Sequence, residues 1–431
     1  MRFSMLRRRW RAPHFLIAFA LALIALPLYA ASDETALTLD AATRIAAAQA
    51  PQVQAQLLRA QAAQDDAVRA GQLPDPKLTA GLQNLTATGP GAFDPAADLM
   101  TMQSIGVMQD IPAHAKREAM SDVAQAGVQL ADANSVVMRL DAKRAAANAW
   151  VMLWAAQRER TLLDELREQS ALAVKATKAN LAGGAGNATD ALSAKSAAVE
   201  LENKIDAADA DIAAARASLR RWIGDRADEV LADPPDFSDM RVPPAQLQAV
   251  DRQAPLLDWS AREQQAQAKL DLAKAGKHPD WSVALSYGKR FGGRSDMVSF
   301  EVGVSLPIFP GNRQDRDISA RYAERDAVQA EHEDARRAQS EAVAAAIAEW
   351  QGDDKQVRRY RDELLPLAHD RSRTALALYR GGASFQPWLE ARRDEIDMRI
   401  AYAQALDAWG KAWAALAYLI PDSGSTAETP R

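Results

Sequence analysis

The 431-residue sequence predicts a mainly α-helical chain with a small β part, laid out as two copies of one plan. Two very long stretches, 116–181 and 313–380, are nearly free of helix breakers. Four short stretches alternate bulky apolar residues with small or polar ones, which is the period of β-strands. Matching residues also recur at a fixed offset. Gly184 and Gly381, Leu192 and Leu389, and Ala194 and Ala391 are each separated by 197 positions, as are Ile105-Gly106-Val107 and Val302-Gly303-Val304.

The chain opens with Arg2, Arg7, Arg8, Arg9 and Arg11, an apolar run over 15–28, and Leu28-Tyr29-Ala30-Ala31-Ser32. This is the three-part layout of a secretory signal over residues 1–30, with cleavage expected after Ala30 or Ser32. The apolar run falls short of the roughly 20 residues that a membrane-spanning helix needs. The mature chain would carry 47 basic against 57 acidic residues, and export points to a Gram-negative envelope.

The first repeat is expected over 31–223 as a helix, a hairpin at about 77–111, a long helix and a returning helix. In its strands Leu78, Ala80 and Leu82 oppose Lys77, Thr79 and Gln83, and Ile105 and Val107 oppose Ser104, Gly106 and Asp110. The helix over 116–181 has one glycine, Gly127, and would run about 100 Å at 1.5 Å per residue. On the returning helix, Leu201, Ile205, Ala208, Ile212, Ala215, Leu219 and Trp222 fall alternately four and three apart, a coiled-coil seam for packing. Residues 224–255 carry Pro234, Pro235, Pro243, Pro244 and Pro255 and read as an irregular connector.

The second repeat, 256–420, follows the same order with its hairpin at about 281–309. Trp281, Val283, Leu285 and Tyr287 alternate with Ser282, Ala284, Ser286 and Gly288. Val298, Phe300, Val302, Val304, Leu306 and Ile308 alternate with Ser299, Glu301, Gly303, Ser305 and Pro307. Pro74-Asp75 and Pro279-Asp280 precede the two hairpins 205 apart, so the eight-residue difference falls in a longer first loop, between about Gln83 and Met100. In the long helix Gly352 and Pro366 predict a kink near Pro366. The seam returns as Met398, Tyr402, Ala405, Trp409, Ala412, Leu416 and Leu419, and residues 421–431 form a polar tail expected to be flexible.

Strands of this length with one apolar and one polar face suit a transmembrane β-barrel. Four strands cannot close a barrel alone, since known barrels begin at about eight, so several chains must contribute. Two hairpins each covering a soluble core would be the plainer alternative.

Chemistry is notable for what the sequence excludes. With no cysteine, disulfides, cysteine-ligated metals, cysteine nucleophiles and an N-terminal lipid on cysteine are ruled out. The net charge of −5 offers no field for nucleic acid. His114, His278, His332 and His369 lack the spacing of metal ligands, and Met100, Met102 and Met108 read as apolar filler before they read as thioethers for Cu(I). No phosphate loop, HExxH pair or nucleophile elbow is present, so no catalytic, cofactor or metal site is expected and the chain is not read as an enzyme.

The signal, the duplicated plan, the paired strands and the long helices together resemble the TolC-like outer-membrane efflux family. The local pieces are Leu73-Pro74-Asp75-Pro76 before the first strand, Val107-Met108-Gln109-Asp110-Ile111-Pro112 closing the first hairpin and Val304-Ser305-Leu306-Pro307-Ile308-Phe309 closing the second. Tyr379-Arg380-Gly381-Gly382 with Leu389-Glu390-Ala391 looks like the family's second helical turn. The resemblance implies a homotrimer whose four strands per chain close a twelve-stranded barrel in outer-membrane lipid, continued by a helical tunnel. It further implies a periplasmic adaptor (membrane fusion) protein and an inner-membrane RND pump as partners. Gln109 with Ile111-Pro112, and Met100, Met102 and Met108 nearby, resemble most the outer-membrane components of heavy-metal (cobalt–zinc–cadmium or copper) exporters. Here Ala113-His114-Ala115-Lys116 stands where many relatives carry glycine before a basic pair.

On that reading Glu390 matches the family's acidic gate position, Asp190 lies near the equivalent first turn, and Tyr379 joins the same gate by hydrogen bonding. Acidic rings set cation preference and help close constrictions, although an acid at a helix start is also favoured by the helix dipole. Gly183, Gly184 and Gly186 in one turn, and Gly381, Gly382 and Ser384 in the other, would meet the adaptor. The same duct also serves drug efflux or type I protein secretion, and a periplasmic coiled-coil adaptor or scaffold would explain the helices without the strands.

Overall fold

The computed structural model describes residues 36–184 and 186–421, so the predicted signal segment and residues 422–431 of the tail lie outside the described residues. Helix α1 (Leu39–Gln49) starts where Thr38 Oγ1 accepts the Ala41 N–H at 3.1 Å. Pro51, lacking an N–H, sits in the first turn of α2 (Pro51–Ala70) and forces a new helix there. Strands β1 (Lys77–Gln83) and β2 (Met102–Ile111) follow, then α3 (His114–Ala182) and α4 (Ala188–Ile223).

After short 3-10 turns, α5 (Pro244–Leu247) and α6 (Trp259–Ala275) lead into β3 (Trp281–Arg290) and β4 (Met297–Val304). Helix α7 (Gln314–Arg359) passes through a π turn at Tyr360–Leu364 into α8 (Leu365–Arg380), and α9 (Gln386–Ala417) returns. The predicted kink is this π turn. Pro366 has no N–H for the residue four before it, so the hydrogen-bond ladder shifts by one just upstream.

Helix α3 has 69 residues, about 100 Å. Its buried positions are densest between Leu140 and Leu166, where α1, α4 and α9 pack against it. On α4, Leu201, Ile205, Ala208, Ala215 and Leu219 are buried as their spacing predicts, while Ile212 and Trp222 are only partly covered. Of the seam predicted for α9 and its end, Ala405, Ala412, Leu416 and Leu419 are buried while Met398, Tyr402 and Trp409 are partly covered, and Ile396, Ala403, Leu406, Trp413 and Ala414 are buried besides because α9 packs on both α3 and α7.

The segment between α4 and α6 is anchored by Phe237, which lies edge-on or tilted against Trp154, Trp409 and Trp413. Three indole N–H groups here are satisfied by backbone carbonyls: Trp150 donates to Leu37, Trp350 to Phe237 and Trp413 to Asp239, at 3.0, 2.9 and 2.8 Å, while the buried Trp409 Nε1 has no partner among the described residues. These bonds remove the cost of burying a polar ring atom in an aromatic core.

The four strands form one antiparallel sheet in the order β1-β2-β3-β4. The alternation predicted to run to Ile308 stops as a strand at Val304. Pairing makes one more bond, Ser305 N–H to the Asp280 carbonyl at 2.9 Å, and Pro307 then lacks a donor. Asp280 also serves the helix beyond the other hairpin, since its carboxylate accepts from the Ala113 N–H at 2.9 Å and from Lys116 Nζ at 2.8 Å. Burial pushes the Asp280 carboxyl up, but Lys116 and the Ala113 N–H outweigh it and hold the group below its ordinary value. Asp280→Ala is therefore expected to loosen the start of α3 by about 1–2 kcal/mol, seen as faster amide exchange over 113–118 with the sheet unaffected. Unchanged exchange there would remove Asp280 from the junction.

Candidate functional site

The strand register settles which side chains share a face. Val107 pairs with Leu78 on one side and Leu285 on the other, Leu285 with Phe300, Ile105 with Tyr287, and Tyr287 with Val298. Trp281, Val302 and Val304 continue the same face, so it is apolar across the middle of all four strands, with Gln103 and Lys289 at its loop end and Gln109 toward the other. It is also uncovered: Leu78 is 70% exposed, Leu285 56% and Phe300 71%.

The opposite face carries Thr79, Ser104, Gly106, Ser282, Ser286, Ser299, Glu301 and Gly303. Gly106 is needed on it, because a Cβ there would stand 2.9 Å from Ser286 Cβ and 3.1 Å from the Leu285 carbonyl oxygen. An exposed apolar face of this breadth needs a non-aqueous neighbour. The outer strands β1 and β4 each pair on one side only. Met102 and Met108 lie on the small and polar face, Met102 buried against Gly288, while Met100 is exposed in the loop before β2.

At the far end of α3 the two predicted turns meet. Gly183 and Gly381 end α3 and α8, and Gly184 and Gly382 take φ of 71° and 100°, the left-handed region that favours glycine. Gly186 closes the first turn, donating its N–H to the Asn180 carbonyl at 3.0 Å, and Ser384 is exposed in the second. Asn180 Nδ2 donates to Tyr379 Oη at 2.9 Å, tying α3 to α8, and Tyr379 stands edge-on to Phe385. Phe385, Trp388 and Leu389 are buried with Ala194 of α4 beneath the turns.

The other two gate candidates lie apart from this contact. Asp190 sits half-buried in the first turn of α4, its N–H capped by Asn187 Oδ1 at 2.8 Å. Glu390 is exposed on α9 and accepts only from Gln386 Nε2 at 3.3 Å among the described residues. Around the turns, residues 172–195 and 373–392 carry six cations (Lys175, Lys178, Lys195, Arg373, Arg380 and Arg392) against Asp190 and Glu390 alone.

Sequence reasoning missed the most heavily partnered carboxylate of this end. Glu395 of α9 is 1% exposed and accepts from Arg392 Nη1 at 2.8 Å and Arg399 Nη2 at 3.1 Å, with His369 Nδ1 of α8 at 3.2 Å. Arg399 in turn reaches Glu165 of α3 at 2.5 Å. Burial pushes the Glu395 carboxyl up, but Arg392, His369, Arg399 and Ser372 together bring it below its ordinary value. Three helices thus converge on one charge. A second layer ties α4 to α9 by Lys204–Asp397 at 2.5 Å and Arg393–Glu200 at 3.3 Å.

The histidines divide. His332 meets Glu263 at 2.7 Å and stacks on Trp259, His369 joins Glu395, and His114 is exposed beside Glu118. Among the described residues no group of three or more His, Cys, Asp or Glu side chains is placed to hold a metal ion. Among them, too, no helix is long and apolar enough to cross a membrane.

Residues 247–420 match the family model described as outer membrane efflux protein. No curated protein matches the sequence. Among solved structures, the fold is similar to a membrane protein from Pseudomonas aeruginosa (TM-score 0.73, 19% identity, 88% of this chain and 92% of that one). It is also similar to CusC (0.72, 16% identity, 88% and 90%) and to the outer membrane protein VceC of Vibrio cholerae (0.68, 18% identity, 87% and 94%). Residues 247–420 thus match the outer membrane efflux protein family in sequence, and nearly the whole chain shares the fold of these solved membrane proteins.

Proposed function

We propose that the chain is the outer-membrane duct of a tripartite RND-type efflux pump. It is set in the outer membrane of a Gram-negative bacterium and extends into the periplasm. The observation that carries this is the sheet, in which one apolar face is exposed across four strands while both edges stay unpaired. Three copies joined edge to edge would close twelve strands and remove every open edge, leaving the apolar side to lipid and the small and polar side to the lumen. The two repeats, 31–223 and 256–420 about the connector 224–255, would each supply one hairpin and one pair of tunnel helices. The chain carries out no reaction, so an inner-membrane pump supplies the energy and a periplasmic adaptor joins the two at the Gly183–Gly186 and Gly381–Ser384 turns.

In this reading the Asn180–Tyr379 bond is part of the periplasmic closure, with Glu390 and Asp190 at its rim. Tyr379→Phe removes the α3–α8 hydrogen bond and nothing else. It is expected to raise the open fraction in planar bilayers several-fold, since one neutral hydrogen bond is worth about 1 kcal/mol. Glu390→Gln is expected to weaken cation preference. Wild-type conductance and selectivity in both variants would take the gate away from these residues.

Heavy-metal cations are the cargo that the Gln109, Ile111 and methionine resemblance favours, and Met102 and Met108 on the small and polar face are consistent with it. A second reading, export of organic molecules, is favoured by the excess of cations around the turns. A deletion strain grown on cobalt, zinc, cadmium, copper and an antibiotic panel separates them. Metal sensitivity alone supports the first, and drug sensitivity alone the second.

A further inference from the structure

Beneath the two turns, α3, α8 and α9 enclose a cleft of about 700 Å³ whose lining is unusual for a helical wall. Its apolar part joins Leu172 and Leu376 to the ring of Tyr379, with the buried Phe385 and Trp388 beneath. Its polar part is cationic, with Arg373 and Arg380 on α8 and Arg392 on α9.

The one acid of the lining, Glu395, is already engaged by Arg392, Arg399 and His369 and has almost no exposed surface. It therefore offers nothing to neutralise Arg373 and Arg380. Both of these are exposed and make no ion pair among the described residues, whereas their neighbour Arg371 is bound to Asp394 at 2.5 Å. Arg392 lies beneath them, buried and paired with Glu395 at 2.8 Å, so the accessible charge of the cleft is that of Arg373 and Arg380.

We propose that this cleft is a binding site for an amphipathic organic anion, its aromatic or aliphatic body lying against Leu172, Leu376 and Tyr379 and its carboxylate or sulfonate held by Arg373 and Arg380. Guanidinium groups bind planar oxyanions through paired N–H bonds, and the apolar side chains take up an apolar body. A metal cation is the wrong charge for this lining. The site is complete within one chain, so it does not depend on barrel closure or on the cargo assigned above.

The probe is 2-naphthoate, titrated calorimetrically into the full chain in lipid nanodiscs, with empty nanodiscs subtracted. One saturable site per chain is expected. 2-Naphthamide, the neutral isostere, should bind at least about ten-fold more weakly, and so should 2-naphthoate to the Arg373→Gln, Arg380→Gln double variant. Arg371→Gln, on the paired arginine beside the site, should bind like wild type. Both variants change exposed side chains, and unchanged circular dichroism would confirm their fold. Equal affinity for acid and amide, an unaffected double variant, or binding no different from empty nanodiscs would overturn the site.

Discussion

Leu285→Arg is expected to abolish recovery of folded protein from the outer membrane, whereas Ser299→Arg, one strand away on the other face, is expected to leave it intact. Leu285 sits mid-strand between Val107 and Phe300 on the apolar face, and Ser299 pairs with Ser286 on the small and polar face. Arginine at the midplane of a membrane barrel costs about 2–4 kcal/mol on the lipid side, and a closed trimer would bear that cost three times. The measurement is the fraction of chain that resists protease in purified outer membranes. If the two variants behave alike, the assignment of faces fails. If Ser299→Arg is the damaging one, lipid and lumen are reversed.

The second large effect is expected at Glu395. Glu395→Ala leaves Arg392 buried without its partner, unties His369 of α8 from α9 and frees one arm of Arg399, which keeps its bond to Glu165 of α3, a loss of about 3–5 kcal/mol for a broken buried pair. Amide exchange over 365–400 should rise by roughly 100-fold or more, while the sheet and the Trp150–Phe237–Trp413 core keep their protection. The pH dependence follows from the sign of the shift. Glu395 is held below its ordinary value when folded, so its contribution is complete above the unfolded value of about 4.3. It is lost as pH falls through the lower folded value. Wild-type protection at the tip should therefore fall in acid, and Glu395→Gln should show weaker protection at neutral pH with little further fall. A wild-type tip indifferent to acid would contradict the hub.

How much of this was legible in the sequence depends on the range of the interaction. The lack of breakers over 116–181 is a local property, and α3 follows it from His114 to Ala182. Side-chain alternation is equally local, and the register joins the apolar positions of all four strands, including the weak pattern of Leu78, Ala80 and Leu82. Pro366 announced a break, but its form as a π turn depends on which hydrogen bonds the helix can recover.

The candidate site was less legible. Tyr379 pairs with Asn180, 199 positions away, and Glu395 gathers partners from α8 and α9 as well as Arg399, which bridges to Glu165. Nothing in the spacing of these residues announces that they meet. The one available signal was the cluster Arg392-Arg393-Asp394-Glu395, in which a charged residue falls on the face that the α9 seam buries. Glu390 and Asp190 were singled out by position along the chain, and what surrounds them is mostly basic.

The central claim is that open edges β1 and β4 meet between chains, and the absence of native cysteine makes it directly measurable. With Leu78→Cys and Val302→Cys in one chain, the two thiols stand on opposite edge strands, separated by three strand spacings plus two residues along the strand, or about 16 Å. A bis-maleimide of about half that reach cannot join them within a chain. Applied to outer membranes and read on a denaturing gel, it is predicted to give a ladder that stops at three chains. A product confined to one chain, or a ladder running past three, would contradict the trimeric barrel.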